Sequence, residues 1–284
     1  MLELGFAFAA LRLSAPLGFA ALGELVAQRS GVLNIGIEGM MLTGAFAAFA
    51  AGAATGSAPL ACAAAVAAGT AMAGVFGAFA IGRRADPIVC GTGLNLLALG
   101  GTGTAQRLLY APGEPLPSAP QIAWPVWVAL LALGALGVGL FLAYSRPGLR
   151  LRAAGERAEA AHAQGIDVRR VRWSATLFGG ACAGLGGACL TLWISDTFVE
   201  NMTAGRGFIA LALVLFGAFR AWRILAGAAL FGAASALQFR LQAAGVEIPY
   251  NLLLMTPYVL TLAVLALFAG RVRPPGDLAR PFEG

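Results

Sequence analysis

The chain has 284 residues, of which 59% are hydrophobic and only 11% charged, and it carries a formal net charge of +6. A soluble domain carries about 25% charged residues, so this chain has too little polar surface to cover itself in water. All 19 basic residues are arginine; the missing lysine excludes a Walker A loop, and arginines grouped between apolar runs read as cytoplasmic loops rather than a nucleic-acid surface.

Apolar runs near the roughly 18 residues needed to cross a bilayer recur along the chain. They predict an all-α, polytopic membrane protein of about nine transmembrane helices, with broken helices near the centre and a single domain over 1–284. The first span, 2–27, opens on MLELGFAF, lacks the positive n-region of a signal peptide and is expected to be retained. Arg12 stands near its end or turned inward. The run 23–46, GELVAQRSGVLNIGIEGMMLTGAF, then puts Glu24, Arg29, Asn34, Glu38 and five glycines into otherwise hydrocarbon-soluble surroundings. Carboxylates and broken backbone at membrane depth persist only facing protein or a water-filled path. Two readings stand: a solvated cytoplasmic turn, or a partly unwound segment bordering a transport pathway.

The second span covers 39–56, and Ser57-Ala58-Pro59 turns the chain into a third that reaches residue 81. Arg83-Arg84 stop it, and Asp86 caps a fourth span, 87–109, with Pro87 in its first turn. Glycines at 91–95 and 100–103 read as interruptions there or as seams of tight helix packing, and the amide of Asn95 needs a partner in lipid. The proline-rich stretch 111–121 is an extramembrane loop. A fifth span, 124–144, has Trp124, Trp127 and Tyr144 at the interfaces. The longest polar run, 145–172, is cytoplasmic, and within it GERAEAAHAQGI reads as a short helix ended by Gly165. Further spans follow at 173–194, with Gly180 and Gly184 as a packing pair, and at 207–219, 224–241 and 250–269. The arginines of 146–172, 220–223 and 271–280 lie inside by charge bias, which puts the proline-rich loop and the amino terminus outside.

No catalytic set is present. His162 is the only histidine, the aspartates lie at span ends or in loops, and Cys62, Cys90, Cys182 and Cys189 sit in apolar stretches without metal-ligand spacing. The chain therefore reads as no enzyme, with no metal and no cofactor of its own. A membrane protein with a compact cytoplasmic helix and no motor suggests one subunit of a transporter driven by a separate ATPase. A self-sufficient carrier using Glu24 and Glu38 as ion sites, and a purely structural scaffold, stay open beside it. Glu38 either lines a pathway or serves as dipole partner for its own helix.

The 23–46 run resembles the signature of permease subunits of nucleoside-type ABC importers, within the group of ribose/simple-sugar and branched-chain amino-acid permeases. The likeness continues at DPIVCGTGLNLLALGGT, LRAAGERAEAAHAQGIDVRRVR, GRGFIALALVLFGAFRAWRILAGAALFGAASALQFRLQ and MTPYVLTLAVLAL, in order along nearly the whole chain. It departs at Gln28, where the family usually has an acidic residue before Arg29. The resemblance implies a multi-pass subunit of the bacterial inner membrane. Its partners would be a second, longer permease in a heterodimer, a cytoplasmic ATPase binding ATP and Mg, and an external substrate-binding protein. It places a coupling segment at 146–172, with Gly155, Glu156, Ala160, Ala161, Gly165 and Ile166 facing the ATPase function. Asn34, Glu38 and Asn95 are the pathway candidates for a nucleoside, with ribose-like sugars as the alternative solute.

Overall fold

The computed structural model describes residues 2–110, 116–243 and 273–282, together with 255, 259 and 263. All regular structure among them is helical: α1 (Leu2–Arg29), α2 (Ile37–Thr55), α3 (Ala58–Gly77), α4 (Pro87–Leu109), α5 (Trp124–Tyr144), α6 (Arg146–Glu156), α7 (Ala158–Ala163), α8 (Val168–Cys189), α9 (Arg206–Phe216) and α10 (Ala221–Ala243). Single π-helical turns, Ala78–Gly82 and Leu190–Ile194, prolong α3 and α8. The helices begin where the sequence supplies acceptors for free N–H groups. Asp86 accepts from the Ile88 and Val89 amides at 2.7 and 3.2 Å. Ser145 caps α6 through Gly148, and Asp167 caps α8 through Arg170.

Helix α8 packs against α1, α2 and α3. The seams are made where glycine lets backbones touch. A Cβ on Gly69 would lie 2.3 Å from the Gly180 carbonyl oxygen, one on Gly184 would lie 2.2 Å from that of Ala65, and one on Gly44 would lie 2.5 Å from Gly184 Cα. Lipid tails give helices no hydrophobic reason to associate, so this close approach is what holds the bundle. The Gly180/Gly184 pair is thus a packing seam, as its spacing predicts. Gly184→Val is expected to lower the thermal unfolding midpoint of the purified chain in detergent, because overpacking a seam costs about 1–3 kcal/mol. Gly137→Ala on α5, with open space around its Cα, should leave it unchanged.

The expected count of about nine membrane helices is not met. Seven helices are long and apolar enough to cross among the described residues, and all but three residues of the span placed at 250–269 lie outside them. The span placed at 207–219 is only the 11-residue α9, about 16 Å long and half a hydrocarbon core. Its composition is apolar throughout, but the preceding stretch holds a chain of left-handed turns at Asn201, Ala204 and Gly205. The segment 195–205 between α8 and α9 forms no regular helix. Phe198 is fully buried against Phe46 and Phe49 of α2; its carbonyl accepts from Gln106 near the end of α4, and Glu200 pairs with Arg107 at 2.9 Å. At its foot, Gly205 meets the start of α2.

The expected interruptions of α4 are also corrected: the helix is continuous through all its glycines. Lipid offers no alternative partner to a freed backbone group, which outweighs the roughly 1 kcal/mol helix penalty of each glycine. Gly91 packs against Gly36, whereas Gly93, Gly100 and Gly101 have open space before them. Arg12 turns inward, its guanidinium donating to the Trp193 and Ile194 carbonyls at the end of α8. The 155–166 stretch is not one helix: an extended Arg157 separates α6 from α7, and Gly165 at φ +80° follows the latter.

Candidate functional site

Residues 30–36 are the break foreseen in the 23–46 run, and it is not solvated. Ser30, Asn34 and Glu24 have no exposure. Glu24 Oε1 accepts from Gln28 Nε2 at 3.0 Å and from the Asn34 amide at 3.2 Å, so the carboxylate ties the end of α1 to the unwound chain. Asn34 Nδ2 reaches Met40 Sδ at 3.3 Å. Arg29 turns away from the break, donating to the Phe219 carbonyl at 3.1 Å with its guanidinium over that ring.

Glu38 lies in the first turn of α2, and its carboxylate closes on the start of α9. Oε1 accepts from the Gly205 amide at 2.8 Å and Oε2 from the Gly207 amide at 2.5 Å. The negative charge thus stands at the positive ends of two helices at once. It stands in the first turn of its own helix, and it also meets a second helix that sequence spacing did not reveal. Asn95 of α4 bridges the same corner. Its Oδ1 accepts from the Gly39 amide at 2.8 Å, and its Nδ2 donates to the Ile35 carbonyl at 3.0 Å. Sequence reasoning missed the glycines that allow this meeting. A Cβ on Gly207 would lie 2.6 Å from Glu38 Cα, and one on Gly91 would lie 2.7 Å from the Gly36 nitrogen. The Gly-Arg-Gly triplet at 205–207 was the available signal.

Glu38 and Asn95 border a cavity of about 430 Å³ that opens between α2, α4 and α9, with Thr92, Leu96, Leu99, Asn201 and Phe208 on its walls. Asn34 is buried within the break and does not line it. The structure therefore brings Glu38 and Asn95 to one groove, and both spend their polar atoms on backbone.

The residues of the expected coupling segment divide by exposure. Glu156, Ala160 and Gly165 are exposed. Ala161 is buried with Ala154, Ala158 and Val168, and Ile166 packs on that cluster. Gly155 faces the membrane part: a Cβ on it would lie 2.2 Å from the Arg29 carbonyl oxygen and 3.0 Å from the Gly31 nitrogen. Gly31, at φ +93°, is in turn hemmed by Arg172, Asp277 and Gly155, so both its conformation and its lack of a side chain are required. The end of α6 thus rests directly on the first residues of the break.

Residues 6–265 match the family described as branched-chain amino acid transport system, permease component. The guanosine ABC transporter permease NupQ of Bacillus subtilis is 35% identical over 96% of this chain and 95% of its own. The nucleoside ABC transporter permease NupC of Lactococcus lactis is 33% identical over 92% of this chain and 91% of its own. TsgC13 of Haloferax volcanii, an ABC transporter permease provisionally assigned to glucose, is 36% identical over 87% of this chain and 86% of its own. No solved structure matches the chain. With a family model covering most of its length and relatives aligned nearly end to end, this chain belongs to the ABC transporter permease family described as branched-chain amino acid transport system, permease component.

Proposed function

We infer that the chain is the membrane-conduit subunit of an ATP-driven importer that carries nucleosides across the bacterial inner membrane. The observation that carries this reading is the backbone contact of Gly155 with residues 29–31. A motor seated on the inner face gains through it a direct mechanical route to the break, and seven residues further to Glu38 and the groove. A gradient-driven carrier has no use for such a route. It would also need accessible carboxylate oxygens for its ion, whereas both Glu38 oxygens already accept backbone N–H groups and the one unbonded oxygen of Glu24 belongs to a side chain with no exposure.

The groove suits a ligand with one flat apolar part and one hydroxylated part. Phe208, Leu96 and Leu99 offer apolar surface for a base, and Thr92 and Asn201 offer hydrogen-bonding groups for a ribose. The two relatives named for guanosine and nucleosides support the same solute. The relative assigned to glucose favours a sugar as the second reading. Exposed Glu156, Arg157, Glu159 and Ala160 form the surface for the separate ATPase, which holds ATP and Mg. Helix α4 is the least enclosed of the seven long helices. It leaves Thr92, Gly93, Gly100 and Gly101 exposed, a run of small residues of the kind that lets a neighbouring membrane helix approach closely. A second permease subunit closes the groove there, and an external substrate-binding protein delivers the solute beside the 195–205 segment.

The test is reconstitution. The chain alone in vesicles is expected to move no labelled guanosine; with its ATPase, second permease, binding protein and ATP it should take it up, with excess unlabelled glucose failing to compete. Competition by glucose selects the sugar reading. Uptake by the isolated chain under an ion gradient overturns the importer itself.

A further inference from the structure

The stretch 276–280 near the chain's carboxyl end reaches the break itself together with α6, α7 and α8. The Asp277 amide donates to the Gly155 carbonyl at 2.9 Å, and two residues on the Ala279 amide donates to the Gly31 carbonyl at 3.0 Å. The Asp277 carboxylate accepts from the Ala158 amide at 2.7 Å, holding the first residue of α7. The Arg280 carbonyl accepts from Arg172 Nη1 of α8 at 2.8 Å. Phe282 then sets its ring against His162, 5.4 Å between centroids. Five residues therefore stitch together α6, α7, the break and α8.

The direct contact between Gly155 and residues 29–31 is of another kind. Among the described residues no hydrogen bond joins the two. Touching backbones resist compression, but each atom pair adheres only weakly, so they do not resist separation. Hydrogen bonds, and charge-assisted ones most of all, resist it. A coupling segment that only pushed could drive the break one way and not draw it back.

We propose that residues 276–280 are the tensile link of the transport cycle, with Asp277 as the positioning residue that makes the break follow α6 and α7 in both directions. The link rests on the ATP-driven reading above, and it predicts loss of coupling rather than loss of fold. Arg280 supplies an internal control. Its backbone carries the link, the carbonyl toward Arg172 and the amide toward the Asp277 carbonyl, while its side chain adds only a long, exposed ion pair to Asp277 at 3.8 Å, a kind worth little.

The experiment uses the complete reconstituted importer with labelled guanosine, measuring solute moved and ATP hydrolysed in the same vesicles. Asp277→Ala is expected to lower solute moved per ATP about tenfold, the scale of one charge-assisted hydrogen bond, while hydrolysis continues. Asp277→Asn, which keeps one acceptor for the Ala158 amide, should fall between, and Arg280→Ala should match the unaltered chain. Amide exchange at Ala158 and Ala279 should quicken in Asp277→Ala alone. An unchanged ratio in Asp277→Ala overturns the link, as does a proportional loss of hydrolysis and uptake in both Asp277 variants. If the unaltered complex moves no solute with ATP, the importer reading fails instead.

Discussion

Gly155→Val is expected to cut ATP-driven uptake about a hundredfold in the reconstituted importer, the scale on which ångström displacements of a working site are felt. The added side chain has nowhere to go, because its Cβ alone would stand 2.2 Å from the Arg29 carbonyl oxygen and 2.9 Å from that carbonyl carbon. Those neighbours are backbone, so relief requires moving α6 away from the break or moving the break itself. Ala160→Trp makes the contrasting case. Ala160 is exposed on α7, and a bulky group there should leave the chain's unfolding midpoint unchanged while abolishing binding of the ATPase. Comparable uptake by Gly155→Val and the unaltered chain would remove the mechanical route from the inner face to the groove.

Glu38→Ala is the second large effect. It leaves the Gly205 and Gly207 amides without their acceptors at the start of α9, and each buried N–H so stranded costs about 1–3 kcal/mol. The start of α9 should then drift from α2, and uptake should fall at least about tenfold. Glu38→Gln retains one oxygen acceptor but sets an NH2 group against the other amide, so it should fall between. A cysteine at Asn201, on the groove wall, should react faster with a soluble thiol reagent in the alanine variant as the corner loosens. An ion-coupled carrier would give a different pattern: equal loss for Gln and Ala, and gradient-driven flux by the chain alone.

Local features were legible in the sequence wherever the cause lay within a few residues. The limits of α4 and α5 agree with the expected 87–109 and 124–144, because Asp86 caps the first and each helix has a proline in its first turn. The break at 30–36 was legible as a cost, since Glu24, Arg29 and Asn34 have no place in plain lipid. The partners were not legible. Glu38 meets Gly205 across 167 residues and Ala158 meets Asp277 across 119, and nothing in the local pattern of either residue encodes such a distant mate. The glycines of α4 misled for the same reason: Gly91 answers to Gly36 of another segment rather than to any bend in its own helix. The half-length α9 escaped notice because hydrophobicity reports depth, not whether the chain enters that depth already coiled.

The bare flank of α4 bears on how cells must make this protein. A newly inserted copy with no companion would press Thr92 and three naked glycines against acyl tails, a state that membrane quality-control proteases are suited to find. Such an orphan should be short-lived; if the proposed second permease covers this flank, its co-expression should lengthen the half-life in pulse-chase labelling, and an unchanged half-life would count against that partner.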